Sequence, residues 1–99
     1  MADEQAGQPS DAELAEQLEA ELKKLTISDV LVQTVLTVSS LGYRRLGDED
    51  RDLDQARLAI ESLRALVPVL KGAVPDEVGR EFEQLVANMQ LAYATAVEG

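Results

Sequence analysis

With 99 residues the chain is one small domain, and with neither cysteine nor histidine it has no disulfide, no thiolate nucleophile and no imidazole for metal binding or proton transfer near neutral pH. A formal net charge of −10 works against nucleic acid and anionic lipid, where binding depends on Lys and Arg replacing counterions. No apolar run approaches the roughly 20 residues that cross a bilayer, and the opening "MADEQAGQPS" is acidic and polar where a secretory signal is basic and apolar, so a soluble cytoplasmic chain with no membrane contact is expected.

Residues 1–9 carry no apolar periodicity and are expected to be disordered. The stretch "SDAELAEQLEAELKKL" is helical in pattern: Ser10 and Glu13 fit a capping box, and Leu14, Leu18, Leu22 and Leu25 recur at helical spacing. Lys23 and Lys24 sit in the last turn, where they suit the helix dipole. The apolar stripe is thin, and an isolated helix of this length is marginal in water. It is expected either to fray or to dock only against something else. Most of the charge imbalance lies here, because residues 1–22 hold seven acids and no base while the remainder has twelve acids and nine bases. Together, residues 1–25 form an acidic extension and residues 26–99 a helical domain.

In "SDVLVQTVLTVSSLGYRRL", residues 28–46, the valines and threonines favour strand by propensity. The polar positions Gln33, Thr37, Ser40 and Arg44 fall 4, 3 and 4 apart, which is a helical solvent face, so a helix is predicted. Ser28 and Asp29 are placed to cap its start, Arg44 and Arg45 to occupy its last turn, and Gly47 to follow its end. One apolar stripe is Ile27, Leu31, Val35, Val38 and Leu41; a second is Val32, Leu36, Ser39 and Tyr43. A surface this broad has to be covered, and in so small a chain a second copy is the expected cover. The candidate interface is Val32, Val35, Leu36, Ser39 and Tyr43, in a homodimer.

From Asp52 to Gly72 the pattern is cleaner. Asp52 and Gln55 make a capping pair, and Leu53, Ala56, Ile60, Leu63, Val67 and Leu70 alternate in steps of 3 and 4. Pro68 lacks the N–H that would reach Arg64, so the helix should bend near residues 64–67 and finish one turn later, with Gly72 as its cap. After "KGAVP", Pro75 suits the first position of a last helix whose seam is Val78, Phe82, Leu85, Met89, Ala92 and Ala96. The two seams should pack as an antiparallel hairpin.

Little in the chain suggests catalysis. Asp48, Asp50, Asp52 and Asp54 alternate like half of a calcium loop, but Leu53 and Ala59 stand where that loop needs Gly and Glu. No nucleophile elbow surrounds Ser39 or Ser40, and no phosphate-binding or dinucleotide glycine pattern is present. Arg44, Arg45 and Arg51 lie among acids and are expected to pair across the loop. No catalytic, metal or cofactor residue is therefore assigned.

At "DLDQARLAIESLRAL", preceded by "LGY" and followed by "PDEVGREFEQLVANMQLAY", the chain resembles a small bacterial family of unknown function. Its pattern is D-L-x-x-A-R-x-x-I-x-x-L after a leucine–glycine pair, then an amphipathic helix ending near an aromatic residue. The matching residues are Leu41, Gly42, Asp52, Leu53, Ala56, Arg57, Ile60 and Leu63, and the likeness covers residues 27–96. The chain departs from it at Pro68, in "VPVLKGAVP", where a more regular polar helix end is expected. The resemblance brings no activity with it; it implies a bacterial source and, through neighbouring translation genes, the alternative role of an accessory factor linked to translation or ribosomes.

The expected protein is all-α: a small three-helix bundle, made of a helical hairpin plus one broad-faced apolar helix, with an acidic N-terminal helical extension. The preferred function is a non-enzymatic, self-associating interaction module whose further protein partner is unknown. A carboxylate-only enzyme is the third class.

Overall fold

The computed structural model describes residues 10–99, so the disorder expected for residues 1–9 lies outside the described residues. Four helices follow in order: α1 (Asp11–Lys24), α2 (Ile27–Leu46), α3 (Leu53–Val69) and α4 (Asp76–Glu98), and no strand is present among the described residues. The described residues are all-helical, and the first of the four helices falls in the N-terminal extension where the sequence places one. Residues 28–46 are helical despite their β-branched content, because their polar residues fall on one side and the line Val35, Ser39, Gly42 and Leu46 is buried against other helices.

α2, α3 and α4 pack on one another, with the most extensive interface between α2 and α3. The core is one cluster built from Val35, Ile60, Leu63, Val67, Leu70, Phe82, Val86 and Met89, which the 3–4 spacing of each helix turns inward. A smaller cluster joins Leu46, Ala56 and Ala96. It brings together the end of α2, the start of α3 and the end of α4, so α3 runs antiparallel to the other two.

Gly42 lets α2 approach the other helices. A Cβ at this position would lie 2.8 Å from Ala59 Cβ and 2.6 Å from Met89 Cε, so only hydrogen fits. The leucine–glycine pair thus has a packing reason.

Several helix ends differ from expectation. α2 is capped two residues earlier, by Thr26: its Oγ1 accepts from Asp29 N at 3.1 Å while Asp29 Oδ2 accepts from Thr26 N at 3.2 Å, a complete capping box. Ser28 instead shares a hydrogen bond with the Thr26 hydroxyl. Ser10 accepts from Glu13 N at 3.2 Å, the expected half of a box. α3 passes through Pro68 and ends one residue later, capped at Leu70 rather than Gly72. Its last bonds shorten to three residues, Leu70 N to Val67 O and Lys71 N to Pro68 O, and Gly72 takes φ +86° in the turn that follows. Pro75 stands just before the first residue of α4 instead of within it.

α1 packs on none of the other helices and buries no residue. It meets α2 at 91°. The radius of gyration, 19.2 Å, reflects this, since a compact domain of about 90 residues measures about 12 Å.

Candidate interaction surface

α1 is amphipathic, yet nothing among the described residues covers its apolar side. Leu14, Leu18, Leu22 and Leu25 line one face at 44, 60, 66 and 51% exposure. Glu19 and Glu21 flank this face by helical spacing, Asp11 stands on it at the N-terminal end, three residues before Leu14, and Glu13 and Glu16 add charge on the other side of the helix. Lys23 Nζ lies 3.8 Å from Glu19 Oε1, the one ion pair of α1 among the described residues.

The expected interface on α2 divides. Val35 and Ser39 are buried by α3 and α4 and offer nothing to a partner, which corrects their place in the candidate interface. The Ser39 hydroxyl is satisfied locally, donating to Leu36 O at 2.9 Å. Val32 is half-buried against the main core, while Leu36 and Tyr43 remain exposed. The buried line of α2 thus runs between the two stripes, through Val35, Ser39, Gly42 and Leu46, and leaves an apolar edge on either side.

One of those edges forms a groove with α3 that was not anticipated. Gly42 and Ala59 lie at its centre, with Val38, Leu41 and Leu58 around them and Arg45 as its only charged lining residue. Its volume is about 250 Å³, and Leu41 and Leu58 are each 56% exposed. Leu36 and Tyr43 lie on the opposite flank of α2 by helical spacing. Leu58 was the available signal: it is an apolar residue on the outer side of an otherwise well-patterned helix.

The residues between α2 and α3 hold that pair of helices together. Arg44 Nε donates to Asp50 Oδ2 at 2.8 Å, and Arg51 Nη2 donates to Asp48 Oδ1 and to Leu46 O, each at 3.1 Å. Asp52 Oδ1 accepts from Gln55 N at 3.2 Å and caps α3. Arg45 has no ion-pair partner among the described residues. No group of three or more acids converges as a metal site among the described residues.

The hydrogen bond from Arg44, reinforced by its charge, holds the Asp50 carboxyl below its usual 3.8. A carboxyl depressed on folding contributes stability above its unfolded pKa and loses it as pH falls through the folded value. The stability this pair contributes is therefore fully present above about pH 3.8 and is lost below it, as pH falls through the lowered Asp50 value. Carboxyl-carbon NMR should show Asp50 titrating below that value, and Arg44→Ala should return it upward; an unchanged midpoint would mean the pair does not form in solution.

Among the described residues no single helix is long and apolar enough to cross a membrane; α1 and α2 pass such a test only jointly and across their 91° elbow. Compared with protein-family models, characterised proteins and solved structures, the chain matches none.

Proposed function

We propose that this chain is a non-enzymatic helical interaction module, in which α2–α4 form a three-helix bundle and α1 is a contact helix for protein. The observation that carries this reading is the leucine face of α1, three exposed leucines and a fourth, Leu25, at the C-cap of a helix that touches no other helix among the described residues. Exposed apolar patches rimmed by polar residues mark interaction sites, and a 14-residue helix of this kind gains most of its stability from whatever it packs against. The acidic side chains beside the leucines make a basic or neutral contact surface the favoured one. In the loop before α3 the charged residues serve structure, as ion pairs and a helix cap, which accords with a role in binding rather than catalysis.

A photo-crosslinking side chain at position 18 tests this reading against the same probe at position 16, on the opposite side of α1. In cells, position 18 should give discrete protein adducts and position 16 should not. Equal yields, or none, would remove α1 as a contact helix.

A further inference from the structure

Resting on that reading, we propose that the occupant of the α1 leucine face is a second copy of this chain, and that the contact is α1 of one protomer lying in the α2–α3 groove of the other. Among the apolar surfaces that lack cover within the described residues are the leucine face of α1 and the groove with Leu41 and Leu58 at its edges; the Leu36–Tyr43 edge of α2 is a third and forms no groove with α3. A fourth helix laid in that groove gives the body a four-helix arrangement. α1 has the length for it, about 21 Å for its 14 residues against about 26 Å for the 17 of α3. Within one chain the match cannot form while α1 stands at 91° to α2, where the helices break at Leu25–Thr26.

Charge and the apolar character of the lining together favour this pairing. Pairing α1 with α1 side by side in parallel would set Glu19 and Glu21 against the same residues of the partner. The groove between α3 and α4 also offers a cation, Arg64, beside the Arg57–Glu61 pair at 3.2 Å, but only Ile60 and Tyr93 give it apolar lining. The α2–α3 groove offers mainly apolar walls, with Gln55 and Ser62 also lining it, and one unpaired cation, Arg45, to a helix flanked by carboxylates. The arrangement is self-complementary, each protomer giving α1 and receiving one, which closes as a two-fold dimer. Each chain carries −10, so association is opposed at long range and belongs at physiological salt, where charges beyond about 8 Å are screened.

Light scattering on a sizing column at tens of micromolar protein tests the proposal. The full chain should run at twice 10.7 kDa. Leu18→Glu on α1 and Leu58→Glu in the groove, each with wild-type helicity by circular dichroism, should both run at 10.7 kDa. Mixed in equal amounts they should recover the dimer, because the intact α1 of one then meets the intact groove of the other. Arg45→Glu, a surface change that leaves every core residue in place, should shift the dimer toward monomer at the same concentration. A monomeric wild type, a dimeric Leu58→Glu protein, or a mixture of helical variants that stays monomeric would each overturn the proposal. A monomeric wild type that still crosslinks to a different protein through position 18 would leave the interaction-module reading standing and remove only this occupant.

Discussion

Leu63→Ala is expected to lower the unfolding free energy by about 3–4 kcal/mol, from the range seen when a fully buried leucine is cut back to alanine. Leu63 has no solvent exposure and belongs to the cluster that holds residues of all three packed helices. Truncation there loses the transfer free energy of three carbons and leaves a void between helices that cannot all close onto it at once. A domain of this size has about 5–15 kcal/mol in total, so the loss is a large share. Urea denaturation should show a lower midpoint with an unchanged slope, since the surface exposed on unfolding stays nearly the same. Leu91→Ala, on the exposed side of α4, is the matched control and should stay within about 0.5 kcal/mol. A Leu63→Ala protein as stable as that control would mean the core is not where α2, α3 and α4 meet.

Residues such as Leu63 were the most legible part of the chain, and the reason is periodicity. Ala56, Ile60, Val67, Phe82 and Met89 are all seam positions in the sequence and all buried in the structure. The neighbours that also proved buried, Ala59 on α3 and Val86 on α4, sit one position off the seam. A helix between two others presents a wider face than a two-helix seam, and a single-helix reading has no way to count its neighbours. The same cause misplaced Val35 and Ser39. α2 has two apolar stripes, and only the positions of α3 and α4 decide that the line between them is buried while Leu36 and Tyr43 stay outside. Thr26 was passed over as a cap because Ser28–Asp29 also has capping chemistry; the choice follows from where the chain turns after α1. Arg45 and Leu58 come together only when α2 and α3 align, so the groove they share had no local signal beyond an apolar residue on an outer face.

Two glycine-to-alanine changes should move stability in opposite directions. Gly79→Ala should stabilise by about 0.5–1 kcal/mol, because glycine costs about that much against alanine inside a helix. Nothing lies within 4 Å of a Cβ built there, so the gain meets no steric opposition. Gly42→Ala earns the same helix preference and should nevertheless destabilise by about 1–2 kcal/mol, the overpacking cost exceeding the gain. The two close atoms differ in how they can respond. Met89 Cε is the end of a flexible side chain, although it sits in a residue with no exposure, and it has room to swing only by displacing core neighbours. Ala59 Cβ moves only with the backbone of α3, so relief at 2.8 Å requires the α2–α3 pair to separate. That separation would also widen the groove over Gly42 and Ala59, which couples this packing position to the surface assigned to the partner helix. Thermal unfolding of both variants at one protein concentration decides the matter: a raised midpoint for Gly79→Ala with a lowered one for Gly42→Ala is the expected pair. A Gly42→Ala protein stabilised as much as Gly79→Ala would show that α2 and α3 do not approach closely enough at this crossing to exclude a methyl group.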